Sequence, residues 1–193
     1  MLPINPVRNI LAAIDFSDES LHSMNYAASI ASTIKSRLLL CHISPIPVVI
    51  SAAPSASDIA KPIVDDLTLN LQEITAGLLA RFPGLKVDHV IASGMIRDNI
   101  LEIVSSHNID LIIMGTHGSG GWKEVIFGTN TAALVKSSPV PVIAVPFSKK
   151  EFKFNKSKTS TKRYKFLNII YCFNFFELRV ASISFKKYKG AYS

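Results

Sequence analysis

The chain has 193 residues, 48% of them hydrophobic, and a formal net charge of +7. This length and composition predict one well-formed core with residues to spare, and the lack of a long uninterrupted apolar run argues against a membrane helix. The two cysteines lie far apart without a C-x-x-C spacing, which argues against a disulfide framework or a zinc site. The N-terminus has no basic segment followed by an apolar one, so we expect a cytoplasmic protein.

The positive charge is confined to the end of the chain. Residues 1–146 carry nine Lys and Arg against twelve Asp and Glu, a net charge of −3, whereas residues 147–193 carry twelve against two, a net charge of +10. A nucleic-acid-binding arm could use such a tail, but its content of Phe, Tyr and Ile argues against this. We therefore do not expect a membrane or nucleic acid as partner, and a basic arm that contacts one of them stays open as the alternative.

The first predicted element is a short apolar strand, residues 7–14, which ends at Asp15. Such a segment is typical of a parallel strand buried on both faces, and we expect it at the centre of the sheet. Ser17 is the predicted N-cap of the following helix, with Asp18 and Glu19 in its first turn. Asp15 by itself is explained as a turn or capping residue. Its place at the carboxyl end of a central parallel strand, where ligands bind in such sheets, makes it a candidate binding residue.

The second strand is predicted over residues 37–43, and an uncharged segment with three prolines, residues 44–57, follows it. Proline lacks the backbone donor that helices and inner strands need, so we expect this segment to be a loop. A loop of this length is either a lid or partner surface, or a loosely ordered surface loop.

The remaining elements alternate in the same way. Three further helices are predicted, most clearly from apolar residues at every third or fourth position, at residues 57–81, 96–107 and 128–136. Three further strands are predicted at residues 85–91, 111–115 and 140–146. Pro62 is expected in the first turn of its helix. Strands that alternate with helices indicate an α/β fold: a doubly wound five-stranded parallel sheet with helices on both faces, followed here by the basic C-terminal tail.

The fourth strand ends at Gly115 and leads into a glycine-rich loop. Gly118 lies in this loop, and Gly128 followed by Thr129 begins the last helix. Glycine allows backbone N–H groups to approach an anion closely, and a helix N-terminus supplies unpaired N–H donors. The stretch therefore predicts a phosphate-binding loop, the alternative being that the glycines only form turns.

The spacing argues against the two commonest nucleotide motifs. The Walker pattern G-x-x-x-x-G-K-[ST] is absent, and Lys123 stands where G-x-G-x-x-G would need its third glycine. The pattern that is present, G-x2-G-x9-G-T starting at Gly115, together with Asp15 after the first strand, resembles the ATP-binding branch of the universal stress protein family. The resemblance covers residues 7–146 and implies the strand order 3-2-1-4-5.

The resemblance also implies roles for individual residues in holding ATP. Asp15 would accept hydrogen bonds from the nucleoside. Ile43 would pack against adenine, while Met114 and Gly115 would border adenine and ribose. The phosphates would be held by residues of the loop and the last helix: Gly118, Gly128, Thr129 and Asn130. The hydroxyl of Thr129 could also approach a bound Mg²⁺.

No catalytic constellation is recognisable in the sequence. The five histidines are scattered, and only His42 and His117 fall near predicted carboxyl ends of strands. Ser119 has no base at a recognisable spacing, and no arginine finger is evident, so we expect ATP hydrolysis to be slow or absent. The sequence thus predicts an ATP-binding, cytoplasmic stress-response regulatory protein. A nucleotide-free dimerisation scaffold and an adenine-nucleotide-dependent enzyme of a related fold remain open.

The last predicted strand offers a surface for a second copy. Residues 140–145 contain no charge, and an uncovered apolar edge invites strand pairing. We therefore expect a homodimer joined through this strand.

The tail contains a short internal repeat. Asn168–Phe175 aligns with Asn9–Phe16 with three identities in eight positions, and Asn174 stands where the first copy has Asp15. Since tandem members of the family carry two such domains, we predict a nucleotide-binding domain at 1–147, a basic linker at 148–166, and at 167–193 a remnant of a second, truncated copy or a disordered tail. A remnant would bind no nucleotide, and would be poorly ordered or would dock its apolar strand onto the first domain.

Overall fold

The fold is given by a computed structural model that describes residues 6–44, 54–116 and 128–147 and, for the backbone alone, residues 171–173; of residues 54–60 it likewise describes only the backbone. Strands and helices alternate along the chain up to the last strand. The strands are β1 Asn9–Ile14, β2 Arg37–Ser44, β3 Lys86–Ser93, β4 Leu111–Gly115, β5 Val142–Val145 and β6 Tyr171–Phe173. The helices are α1 Asp18–Ile34, α2 Pro54–Arg81, α3 Ile96–Ser106 and α4 Thr129–Ser137.

The sheet has the strand order β3-β2-β1-β4-β5-β6. The first five strands in this order are parallel, which confirms the predicted parallel sheet, its order 3-2-1-4-5 and the central place of β1. β6 extends the sheet and runs antiparallel to β5. It comprises three residues of the repeat-like segment in the tail. The wider division of the tail stays a prediction, because residues 148–170 and 174–193 lie outside the described part.

Two hydrophobic clusters cover the two faces of the sheet. Successive side chains of β1 alternate between them, so Ile10 and Ala12 pack with α1 and α2, whereas Leu11 packs with α3 and α4. All three side chains are fully buried. The central strand is apolar on both faces, and each face is covered by a pair of helices. This is the doubly wound arrangement that the sequence predicted.

The predicted start of α1 is confirmed. The Ser17 hydroxyl accepts a hydrogen bond of 3.3 Å from the backbone N–H of Ser20, and Asp18 and Glu19 occupy the first turn. The helix ends at Ile34, and its C-cap residue Lys35 adopts the left-handed conformation with φ 60°. At the other end, the Ser17 cap satisfies one of the N–H groups that a helix start leaves unpaired.

The start of α2 was predicted too late. The helix begins at Pro54, so the last four residues of the predicted loop 44–57 are helical, and Pro62 lies in the interior instead of the first turn. Pro54 is tolerated there because the first helical N–H groups have no intrahelical acceptor. The apolar periodicity begins only at Ile59, so periodicity carries no signal for the earlier turn. Residues 45–53 lie outside the described part, and the role of this segment stays a prediction.

The amino ends of β1 and β4 are joined by one side chain. Asp110 Oδ2 accepts hydrogen bonds from the backbone N–H of Arg8, at 2.8 Å, and of Asn9, at 2.9 Å. This contact lies at the edge of the sheet opposite the carboxyl ends of the strands. No described helix combines the length and the apolar composition that crossing a membrane requires.

Candidate functional site

The candidate site lies at the carboxyl edge of the sheet, where the strand order reverses. β1 and β4 are neighbours in the sheet, but β1 continues through α1 to β2 on one side, and β4 continues through α4 to β5 on the other. The two connections leave the edge in opposite directions, and ligands of open parallel sheets bind in the resulting crevice. Asp15 follows β1 directly, and Gly115 ends β4, so both flank this point.

Asp15 takes part in the turn between β1 and α1. Its Oδ1 accepts hydrogen bonds from the backbone N–H of Ser17, at 3.1 Å, and from the Ser17 hydroxyl, at 2.5 Å. Its own N–H donates to the Ser20 hydroxyl at 3.2 Å. Asp15 therefore has the turn role that its residue type suggested. The same turn holds an exposed carboxylate at the carboxyl end of β1, and its contact with a nucleoside stays a prediction.

Phe16 and His42 form a contact that the sequence did not predict. Phe16 adopts a left-handed backbone with φ 64°, which is uncommon for a residue with a bulky side chain. Its ring lies 4.6 Å from that of His42, measured between centroids. The Nδ1 atom of the buried His42 lies 3.0 Å from the carbonyl oxygen of Ile14. Because a carbonyl oxygen can only accept, Nδ1 donates, and His42 thus ties β2 to the end of β1 beside Asp15.

The junction between β4 and α4 is closed by hydrogen bonds. The buried Thr131 hydroxyl donates to the carbonyl oxygen of Gly115 at 2.9 Å. The N–H of Gly128 donates to the carbonyl oxygen of Thr116 at 2.7 Å, and the N–H of Thr116 donates to Val145 at 3.1 Å. The Gly128 amide, which the resemblance assigned to phosphate, is thus bonded within the fold. Any phosphate contact of Gly128 through this amide stays a prediction and would have to share or break that bond.

The first turn of α4 has no side-chain cap. Gly128 is the N-cap residue, with φ −60° and ψ 157°, and glycine has no side chain with which to accept a hydrogen bond from the turn. Thr129 and Asn130, the first two helical residues, are exposed. A helix start of this kind presents backbone N–H groups and the positive end of the helix dipole.

Ile43 and Met114 lie at the carboxyl ends of β2 and β4, on either side of β1. Each is 7% exposed, and both belong to the cluster that packs on α3 and α4. The small side chain of Ala13 on β1 packs against the same cluster. The structure therefore brings the two residues assigned to adenine onto one face of the sheet, where each already contributes to the core.

Part of the predicted site cannot be placed. Gly118, and with it His117, Ser119 and Lys123, lies outside the described residues. Among the residues that are described, no group of three or more His, Cys, Asp or Glu side chains is arranged to hold a metal ion. Cys41 is buried in β2, and burial raises the pKa of its thiol to about 12. This thiol therefore stays protonated at neutral pH and does not act as a nucleophile.

Comparison with known proteins agrees with this fold. The family model described as "Universal stress protein family" matches residues 6–146. Universal stress protein C of Escherichia coli is 29% identical over 144 residues, which cover 72% of this chain and 96% of the relative.

Two solved structures share the fold. A universal stress protein in complex with cAMP has a TM-score of 0.56 at 18% identity and covers 74% of this chain and 98% of its own. A universal stress protein family protein from Arabidopsis thaliana with AMP bound has a TM-score of 0.52 at 19% identity, covering 72% of this chain and 93% of its own. The family match spans both strands that flank the candidate site and both helices that follow them. The chain belongs to the universal stress protein family.

Proposed function

We propose that this chain is a cytoplasmic stress-response regulatory protein that binds ATP at the carboxyl edge of β1 and β4. One observation carries the proposal: an exposed carboxylate, Asp15, and an exposed helix start capped by a glycine, Gly128, follow neighbouring strands at the point where the strand order reverses. A carboxylate suits the hydroxyl groups of a nucleoside, and a helix start suits phosphate. A nucleotide carries both kinds of group in one molecule.

The residues present fit the parts of ATP as follows. Asp15 would accept hydrogen bonds from the nucleoside, with Gly115 beside the ribose. Adenine would lie over the edge formed by Ile43 and Met114. The first turn of α4 would bind the phosphates through its backbone N–H groups and through the side chains of Thr129 and Asn130. Gly128 would lie at the entrance of this turn, and Gly118 would contribute from the preceding loop. The Thr129 hydroxyl is exposed and could serve as a ligand of Mg²⁺.

Binding, with little or no hydrolysis, would be the output of this site. ATP would supply negative charge and an adenine ring, and the chain would supply donors fixed by the folded core. The β4–α4 junction is held by the bonds of Thr131 and Gly128, so a phosphate would meet a preorganised helix start. Of the two solved relatives, one is in complex with cAMP and the other has AMP bound, which supports an adenine nucleotide as the ligand class.

The decisive experiment compares two glycine substitutions in the full chain by isothermal titration calorimetry with ATP. Gly128→Val places a β-branched side chain at the helix entrance, and its backbone angles, φ −60° and ψ 157°, are open to valine. We expect ATP binding to be lost while circular dichroism shows the native fold. Gly77→Val is the matched control, because a Cβ at Gly77 in α2 meets nothing within 4 Å. Unchanged ATP affinity of a folded Gly128→Val variant would remove the phosphate site from this loop.

A second experiment identifies the natural ligand. Protein purified from cells under native conditions is extracted with acid, and the released compounds are separated by chromatography. ATP in near-stoichiometric amount is the expected result. AMP or cAMP would keep the site and change the nucleotide, whereas the absence of any adenine compound, together with no affinity for added ATP, would favour a nucleotide-free scaffold.

We further propose that two copies can pair through β5 and that bound nucleotide shifts this equilibrium. β5 is uncharged and directly follows α4, so the phosphate site and the outer edge of the sheet belong to one connected segment. In the structure this outer edge is paired with β6. Pairing of two copies there requires β6 to leave.

A further inference from the structure

We infer that the outer edge of β5 is an interaction surface whose resident occupant is the chain's own strand β6, Tyr171–Phe173, which competes there with a second copy of the chain. β6 is paired with β5 in the structure, and this pairing stands whether or not the proposed nucleotide site exists. Only the identity of the competitor rests on the proposed pairing of two copies.

β5 is hydrogen-bonded on both sides. On its inner side it pairs in parallel with β4, from Ile112 opposite Val142 to Gly115 opposite Val145. On its outer side it pairs antiparallel with β6, in the register Val142 with Phe173, Ile143 with Cys172 and Ala144 with Tyr171. β6 thus replaces β5 as the terminal strand of the sheet.

The composition of β5 explains why its edge needs a partner. The strand has the sequence VIAV, without a charge, and Val142 and Ala144 are fully buried. Edge strands of soluble proteins usually carry charges, prolines or bulges that prevent pairing, and this strand carries none within its length. Pro141 and Pro146 lie just outside it and lack a backbone donor. These prolines limit the edge to a short pairing segment, which matches the three residues of β6.

The covalent link makes β6 a concentration-independent competitor. Pairing of β6 with β5 is unimolecular, so dilution does not weaken it, whereas pairing with a second copy depends on the protein concentration. Three residue pairs form a small contact that a longer strand or a second copy could displace. The edge therefore works as a switch: closed by β6 in the monomer, and open to a second copy when β6 is released.

The register provides a direct test in the full chain. Ile143 and Cys172 are opposed, and opposed Cα atoms in antiparallel sheets lie about 4.5–5.5 Å apart, within the range of about 4.4–6.8 Å that a disulfide spans. In the Ile143→Cys variant, oxidised glutathione should therefore convert the introduced thiol and that of Cys172 to an intramolecular disulfide, releasing two molecules of reduced glutathione. Intact-mass measurement detects the loss of two hydrogen atoms, and peptide mapping locates the bond. Cys41 does not interfere, because its thiol is buried and protonated.

Val142→Cys is the matched control. Val142 packs in the cluster on α3 and α4, while Ile143 packs in the cluster on α1 and α2, so the two side chains leave opposite faces of β5. A thiol at position 142 should not reach Cys172. Equal cross-linking of both variants, disulfides only between two copies, or no disulfide in the Ile143→Cys variant would each overturn the pairing of β6 with β5.

The competition itself is tested by light scattering at tens of micromolar full-length protein. The double variant Tyr171→Pro/Phe173→Pro removes two backbone donors from β6 and should raise the dimer fraction at least severalfold. Ala181→Pro/Ser182→Pro, which leaves Tyr171–Phe173 unchanged, is the control and should behave as wild type. An equal dimer fraction in all three proteins would overturn the competition. ATP titration of the same samples keeps a failure here distinct from a failure of the nucleotide proposal.

Discussion

The hydroxyl of Thr131 donates a hydrogen bond of 2.9 Å to the carbonyl oxygen of Gly115, which fixes the first turn of α4 to the last residue of β4. Thr131 is 3% exposed, so this bond forms away from water. It sets where the exposed helix start lies relative to the carboxyl end of β4. The proposed phosphate site therefore depends on a bond between two residues that are not themselves assigned to phosphate.

The first prediction concerns this bond. Thr131→Val keeps the shape of the side chain and removes the donor, and we expect a loss of about 1–3 kcal/mol in the free energy of unfolding, because a buried polar group loses its partner. Urea denaturation measures the difference. Thr131→Ser keeps the hydroxyl and is the control, although it also removes a methyl group. Equal stability of the Val variant and the wild type would show that the bond contributes nothing.

The second prediction separates the cap of α1 from the orientation of Asp15. Ser17→Ala removes both contacts of the hydroxyl, the cap on the Ser20 N–H and the bond to Asp15, and should cost about 1 kcal/mol of stability, whereas glycine at an N-cap costs only a few tenths. Both Ser17→Ala and Ser17→Gly remove the hydroxyl that holds the Asp15 carboxylate. We expect ATP affinity to fall in both variants but stability to fall clearly only in the first. Affinity that stays at the wild-type value in both would show that this orientation does not matter for binding.

The third prediction tests stability away from the site. Asp110→Ala removes the acceptor of the Arg8 and Asn9 amides and should lower the free energy of unfolding by about 1–2 kcal/mol. ATP affinity should not change, because this contact joins the amino ends of the strands. Asp98→Ala is the control: its ion pair with Arg97 is exposed, and such pairs contribute about 0–1 kcal/mol. A loss of ATP affinity in folded Asp110→Ala would argue against a site at the carboxyl edge.

The fourth prediction concerns pH. Burial lowers the pKa of His22, whose ring lies edge-on to Phe147 at 5.7 Å between centroids. The unfolded chain, with a histidine pKa of about 6.5, then binds a proton more readily than the folded chain, so stability falls as the pH drops below about 6.5. The His22→Gln variant should lose this part of the pH dependence. Denaturant midpoints from pH 5 to pH 8 measure it.

At pH 8 the contribution of His22 protonation to the free energy of unfolding should vanish, because the imidazole is neutral in both the folded and the unfolded state. Any difference between wild type and His22→Gln there reports packing against Phe147. A His22→Gln profile parallel to that of the wild type across the whole range would contradict the assignment to His22.

Local patterns in the sequence determined most of the fold. Apolar strands that alternate with amphipathic helices predicted the parallel sheet, and Ser17 before two acidic residues predicted the start of α1. These signals depend on residues a few positions apart, within one element, so they can be read before the chain is folded. The glycine and threonine pattern that ends at Thr129 marked the candidate site for the same reason.

Contacts between distant residues were decided only by the tertiary structure. His42 bonds to Ile14 from a neighbouring strand, and Gly128 bonds to Thr116 across the loop between β4 and α4. The early start of α2 at Pro54 has no signal in the apolar periodicity. For a strand of the tail, the sequence is compatible with pairing at either edge of the sheet and in either direction. Backbone hydrogen bonds across a sheet carry no mark in local sequence, because any unpaired strand offers the same N–H and C=O groups. The antiparallel place of β6 on β5 is therefore a property of the folded chain alone.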